Sequence, residues 1–350
     1  VYVTGQNMTD RFRPYLIDIE VTDKAGESSD TCSLTLHDDL AVAFPAERAE
    51  VMVAINGIEV FVGYVDTSRS SGSRGGGRLI KVGAKSYDLR GKAKDGQTFH
   101  KDDATLQDFL GEAAQKAGYS LHVDQSLAGK QRPYWVADNE SFVELGERLA
   151  REFNATFKLR GDQAVLVPRG ATLLATVRGI VGPGGNVISW DIAPYTGWGK
   201  YSTAKARWFD RKEAKFKEKD ITIEGVEADS TDITRALAAD EGQAEDIANG
   251  RKSQSNREAG GGSVELTLTL EAQAEALFAL SGARPGVDGT YRIETVTHKA
   301  SRSGGATTRL ELKEPQDGAG KDSRSSKGRS SGDDVGAGDT SAVPEHLRLD

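Results

Sequence analysis

Val51-Met52-Val53-Ala54-Ile55-Asn56-Gly57-Ile58-Glu59-Val60-Phe61-Val62-Gly63-Tyr64-Val65 is the stretch on which the fold turns. Val51, Val53 and Ile55 recur at every second position, the period of a strand, and Val60, Val62 and Tyr64 repeat it. Asn56-Gly57 between the runs suits a type I′ turn, whose two central residues both need positive φ. Residues 51–65 therefore predict a β-hairpin. Outward from it the same period continues. Ile17, Ile19 and Val21 alternate with charged residues, Leu34 and Leu36 with Thr35 and His37, and Ile80, Val82 and Ala84 make a further strand. The intervening Ser68-Arg69-Ser70-Ser71-Gly72-Ser73-Arg74-Gly75-Gly76-Gly77-Arg78 has no apolar side chain to bury, and reads as a mobile hairpin tip.

Past residue 100 the period changes. Leu106, Phe109, Leu110, Ala113, Ala114 and Ala117 form one helical stripe, with Thr105 and Asp108 placed as a capping box and Gly118 just past the end. Tyr119–Val123 is strand-like. A second helix begins at Ser141, with Glu144 as box partner, and carries Phe142, Leu145, Leu149 and Phe153. Ala155–Leu159 and Ala164–Val167, joined by Gly161-Asp162, predict another hairpin. Residues 100–169 thus read as a compact α+β module within a β protein. After a Gly/Pro break at 181–185, Ala204, Ala206 and Trp208 alternate with Lys205 and Arg207. Residues 231–250 suggest a helix, with Ile233, Ala236, Leu237, Ala244, Ile247 and Ala248 on one side and Gly242 weakening it. Val264, Leu266, Leu268 and Leu270 alternate as a strand, and Tyr291–Thr297 with Thr308–Leu312 form a closing pair. From Asp317 onward the chain is Gly/Ser/Asp/Lys-rich and reads as disordered.

The 350 residues allow about two or three domains at ~100–200 residues each. Mean hydropathy is −0.49, lean but adequate for small β cores with polar outer faces. No apolar run approaches the roughly 18 residues that span a bilayer, and the opening residues carry no basic start with an apolar stretch behind it. Cys32, the single cysteine, lies in a strand-like run and reads as a small buried hydrophobe. The net charge of −8 argues against broad nucleic-acid binding while leaving room for a local basic patch.

Candidate chemistry is sparse. Ser202-Thr203-Ala204-Lys205 matches Ser-x-x-Lys but lies in a strand pattern, where that motif needs a helix. The glycine clusters at 72–77 and 179–185 lack the Lys-Ser/Thr of a phosphate loop. His37, His100, His122, His298 and His346 form no ligand spacing; His100 with Asp102-Asp103 and His122 with Asp124 offer two ligands each, and acidic residues ahead of a helix serve its dipole equally well. Trp135, Trp190, Trp198 and Trp208 suit a sugar platform or a core; Trp208 alternates with Ala204 and Ala206 and reads as core or interface, while Trp198 between two glycines reads as exposed. No catalytic, cofactor-binding or metal residue is assigned, and the chain reads as a binding protein, not an enzyme.

Several segments, in order, resemble the late control D family, the baseplate hub proteins of contractile phage tails. These are Val3-Thr4-Gly5-Gln6-Asn7-Met8-Thr9, then Arg11–Asp23, and Leu34-Thr35-Leu36-His37-Asp38-Asp39. Thr105–Leu110 with Ala117-Gly118, and Asn139–Ala150 leading to Val167-Pro168-Arg169-Gly170, are similar to the family's central module. Pro285–Ile293, Val296-Thr297-His298 and Thr308–Leu312 are similar to its last hairpin. The resemblance covers residues 1–314 and shares the hub fold of type VI secretion spike proteins. It implies an α+β, mainly β chain with two tube-like β-barrel domains at 1–95 and 172–316, an α+β module at 96–171 between them, and a disordered polar tail at 317–350. It further implies a homotrimer adapting a sixfold tail tube to a threefold central spike. Its partners would be the tube or a distal tail protein, the spike and the tape measure, with DNA only passing through the lumen and no direct membrane binding. Such a protein is made in the host cytoplasm and assembled into the baseplate. The rival readings are a tail-associated cell-wall hydrolase and a glycan-binding adhesin.

Overall fold

The computed structural model describes residues 1–39, 43–170, 174–197, 200–210, 212–223 and 228–322. The chain is mainly β with antiparallel sheets. Its largest sheet has thirteen strands. From one end the order is Val187–Ala193, Gly261–Thr267, Gly305–Gln316, Gly289–Ser301, Leu16–Lys24, Thr31–His37, Gly77–Lys85, Ile58–Ser73 and Glu50–Ile55, then the short Tyr2–Val3 and Gln6–Asn7. Leu277–Ser281 pairs with Gly289–Ser301 to one side and carries Val177–Ile180 in parallel. The path is open: among the described residues neither β block closes on itself. Instead the two blocks share a seam, where Leu16–Lys24 runs antiparallel to Gly289–Ser301. Thr22 faces Thr297 there, their hydroxyls 3.3 Å apart.

The period-two reading places most of these strands, and their inward side chains make two separate cores. One gathers Ile19, Val21, Leu34, Leu36, Val51, Val53, Phe61, Ile80 and Val82; the other gathers Val264, Leu266, Phe278, Tyr291, Ile293, Leu310 and Leu312. The deciding hairpin forms as expected at its turn, where Asn56 and Gly57 take φ of 51° and 81°. Its second strand, however, buries the other face. A two-residue turn sets Ile55 opposite Ile58, but the register slips after Ala54, so that Val53 meets Phe61 and Val51 meets Gly63. That bulge sends Phe61, Gly63 and Val65 inward and leaves Val60, Val62 and Tyr64 half-buried.

The module matches its sequence closely. Leu106–Ala117 and Phe142–Glu152 are helices; the buried residues of the first are the predicted stripe, and the second buries Phe142, Leu145 and Leu149 while Phe153 caps its end half-buried. Both capping boxes close: Asp108 N donates to Thr105 Oγ1 at 3.1 Å and Ser141 N to Glu144 Oε2 at 2.9 Å. Gly118 ends the first helix in the left-handed region, φ 82°. Behind the helices lie the sheet of Ala155–Arg160, Gln163–Pro168 and Ser120–Val123 and a ribbon of Gln97–Thr105 with Gln131–Glu140, whose mixed side chains carry no clear alternation. Gly146 lets the second helix lie on Phe157; a Cβ there would sit 2.3 Å from the ring. Each fully buried Leu or Phe in this core contributes about 1.5–3 kcal/mol of transfer free energy.

Inside the second β block lies a further unit, the sheet of Lys215–Thr222, Thr203–Asp210 and Thr231–Ala238 under the helix Glu241–Arg257. Here the sequence expectation fails. Residues 231–238 are a strand running parallel to Thr203–Asp210, and the helix starts only after Asp240, whose carboxylate accepts from Gln243 N at 2.8 Å. Ile233 and Leu237, expected on a buried helix face, are 52% and 55% exposed. Three other expectations change. The Ser68–Ser73 stretch is paired strand, Ser68 opposite Val82 and Ser73 opposite Gly77, so only residues 74–76 form the tip. The 264–270 strand stops at Thr267 and buries Thr269, not Leu268 or Leu270. And the first residues of the expected tail are packed: Gly320 N donates to Gly286 O at 2.8 Å and Ala319 rests on the second-block core. Residues 323–350 of that tail lie outside the described residues.

Three clusters of ion pairs tie the units together, two of them from the module and one from the long helix to the second block. Lys158 bridges Asp23 at 2.9 Å and Asp30 at 2.6 Å, and Arg160 reaches Asp30 at 3.2 Å. Burial alone would lower the Lys158 pKa, but the two carboxylates outweigh it and hold the ammonium above its usual value. Arg132 pairs with Glu152, and with Asp246 of the long helix at 3.5 Å. Arg257, 5% exposed, binds Glu275 at 2.6 Å and Glu294 at 2.9 Å.

Candidate interaction surfaces

The residues singled out for chemistry are dispersed. Ser202 donates to Ser230 O at 2.9 Å, while Lys205 sits in the strand paired with Glu218 at 2.7 Å, so no Ser–Lys couple forms. His298 is buried against the Thr308 hydroxyl at 3.0 Å, and burial lowers its pKa. His100 stacks on Tyr134 with centroids 5.6 Å apart. Asp102 and Asp103 belong to the strand Gln97–Thr105; the acid in the first turn of the helix is Asp108, held below its usual pKa by its bonds to Thr105. His346 lies outside the described residues. Among the described residues no three His, Cys, Asp or Glu side chains stand together as a metal site, and no helix is long and apolar enough to cross a membrane. Cys32 is buried, which pushes its thiol up to about 12.

Of the tryptophans, Trp135 and Trp208 are core, the former donating its indole N–H to Ala104 O at 2.8 Å. Trp198 lies outside the described residues. Trp190 is 42% exposed and sits on Val187–Ala193, the end strand of the large sheet. Among the described residues that strand pairs with Gly261–Thr267 on one side only, and Ile188 beside Trp190 is exposed as well. A free edge with bare apolar side chains is a template for a further strand. A second apolar surface lies on the outer face of the three-stranded sheet. There Phe209 and Phe216 pair edge-on at 5.2 Å, Phe216 being 67% exposed, while the exposed Ile233 and Leu237 stand opposite Lys205 and Arg207 of the central strand. A third feature is the ribbon of Ile58–Ser73 and Gly77–Lys85, which extends beyond the neighbouring strands and is exposed from Thr67 to Arg78. The sequence reading missed the first and second because both depend on which strand ends up at an edge. The signal for the third was present in the arginines of 69–78.

No family model matches the chain, and no curated protein matches it. Solved structures do. The 43 kDa tail protein of prophage MuSo2 from Shewanella oneidensis aligns over 85% of this chain and 94% of its own, with TM-score 0.66 and 16% identity. A tail protein from Neisseria meningitidis MC58 aligns over 86% and 92%, with TM-score 0.65 and 14% identity. An Escherichia coli component of the type VI secretion system, described as structurally similar to the T4 bacteriophage tail proteins gp27 and gp5, aligns over 88% and 76%, with TM-score 0.58 and 10% identity. The resemblance seen in the sequence holds at the level of fold: the chain has the fold that these tail proteins share.

Proposed function

We propose that this chain is a structural subunit of a tail baseplate hub, a homotrimer that adapts a sixfold tail tube to a threefold central spike. The observation that carries the reading is the doubling about the seam. On one side the hairpin of Leu16–Lys24 and Thr31–His37 is extended outward by Gly77–Lys85 and Ile58–Ser73. On the other, the hairpin of Gly289–Ser301 and Gly305–Gln316 is extended by Gly261–Thr267 and Val187–Ala193. Each side is a run of antiparallel strands around its own core, so three chains would present six alike blocks around an axis. In that assembly the blocks become tube-like by pairing with neighbours, and the bare edge at Val187–Ala193 is a point of closure. Interfaces of about 2,000 Å² or more per pair are needed for an obligate ring.

The tube or a distal tail protein, the spike and the end of the tape measure are the partners of this reading, with DNA traversing the lumen. The role is structural, and the assembly is completed in the particle after synthesis in the host cytoplasm. Mass in solution together with ring views by electron microscopy tests it. Three chains in a threefold ring, alone or once tube protein is added, is the expected result. A monomer that forms no ring in the presence of tube protein, or clear lysis of cell wall by the purified chain, overturns it.

A further inference from the structure

Between Thr67 and Tyr87 the chain carries Arg69, Arg74, Arg78, Lys81 and Lys85 and no carboxylate. This local +5 stands in a chain of net charge −8, which leaves −13 on the rest. The ribbon holds these charges in a fixed frame. Arg69 lies directly opposite Lys81, so both project from one face, and Lys85 follows on that face two pleats along. Arg78 projects from the other face opposite Gly72, and Arg74 sits in the turn. Among the described residues none of the five makes an ion pair, although ion pairs are common elsewhere in the chain. The remaining side chains from Thr67 to Gly77 are Ser, Thr and Gly.

We propose that this ribbon binds the phosphate backbone of duplex DNA. Cations that make no ion pair among the described residues, set among small side chains, let a polyanion approach the backbone closely, and the major groove admits a two-stranded ribbon. The exposed stretch has no apolar side chain for a protein interface core and no aromatic ring on which single-stranded bases would stack. It has no Asn or Gln to pair with adenine edges, and the charge-conserving lysine variant below tests whether its arginines read guanine edges or only phosphates. Net charge hides this site, because the acidic remainder of the chain masks a local cationic finger.

Anisotropy of a labelled short duplex, titrated with the full chain, tests the proposal. Kd should fall in the ~10–100 μM range at low salt and weaken steeply between about 50 and 200 mM. The variant R69S/R74S/R78S should lose about tenfold or more in affinity, and the slope of log K against log salt should flatten by about 2.7, roughly 0.9 per phosphate contact. R69K/R74K/R78K should bind within about twofold of the parent, because a point charge suffices for a phosphate. Thermal unfolding should be unchanged in both variants, since the three side chains touch no core. Equal binding by the serine variant and the parent overturns the proposal. So does displacement of the duplex by polyglutamate of equal charge, which points to an acidic protein, or tighter binding to phosphatidylglycerol vesicles than to the duplex.

Discussion

The α+β module at 97–168 and the sheet-and-helix unit at 203–257 are built of the same parts, helices laid on small sheets, yet local sequence specifies them to very different degrees. In the module the two long helices begin at reciprocal boxes and bury large side chains, Leu106, Phe109 and Leu110 in one and Phe142, Leu145 and Leu149 in the other. In the second unit the core is mostly small, Ala204, Ala206, Ala244 and Ala248 around Trp208, and the apolar spacing through Ile233, Ala236 and Leu237 fits a helix as well as a strand. Where side chains are large and caps are closed, local preference and tertiary packing agree. Where the core is alanine, a strand forms because a partner is waiting, and large side chains are left on the outside. The difference teaches that a periodic pattern is informative in proportion to the apolar volume it buries.

The sharpest way to break this comparison is at the buried charge that ends the second unit. Arg257→Met should cost about 3 kcal/mol, because the half-buried Glu275 and Glu294 would lose the cation they share. A denaturant-unfolding loss under about 1 kcal/mol would mean that the unit is held by its small core instead. Next come two matched truncations. Leu149→Ala, in the module core, should lose about 2–5 kcal/mol, whereas Leu237→Ala should stay within about 0.5 kcal/mol because its side chain is exposed. A loss of about 2 kcal/mol or more at Leu237 would restore the helical reading of 231–238.

The smallest effect concerns the caps. Asp108 and Glu144 are held below their usual pKa by their bonds to Thr105 and Ser141. A depressed carboxylate stabilises the fold fully above its unfolded value, and that stabilisation is lost as the pH falls through its folded value. The melting temperature should therefore drop as the pH is lowered below about 4.5, and the double variant T105A/S141A should show a shallower acid decline. Asp210, whose pKa is brought to about 2 by Lys217 and two backbone N–H groups, keeps its contribution in both proteins down to more acid pH.

Much of the fold was legible. The first β block, the module apart from its ribbon of Gln97–Thr105 and Gln131–Glu140, and the closing hairpin follow from alternation, caps and turn residues, all of which act over a few residues. The strands Val177–Ile180, Val187–Ala193, Lys215–Thr222 and Leu277–Ser281 were not, since their side chains are mixed and each is fixed by hydrogen bonds to a distant partner. The candidate surfaces were legible only as composition. The arginines of 69–78 are plain in the sequence, but that they stand on paired strands and not on a loose tip follows from the partner strand through Leu79, Ile80 and Val82. Trp190 was visible as a residue, but its place on a free edge was not.

The sequence by itself determined that the chain is mainly β with one helical module, that its helices start at Thr105 and Ser141, and that one hairpin turns at Asn56-Gly57. Those outcomes rest on short-range sterics and hydrogen bonds that the chain carries wherever it goes. Only the tertiary structure decided that the two blocks share one sheet across Thr22 and Thr297, which face of Ile58–Ser73 turns inward, and which strand is left bare at the end. The reason is that strand order, register and edges are properties of pairs, and partners such as Thr22 and Thr297 lie 275 residues apart in the chain.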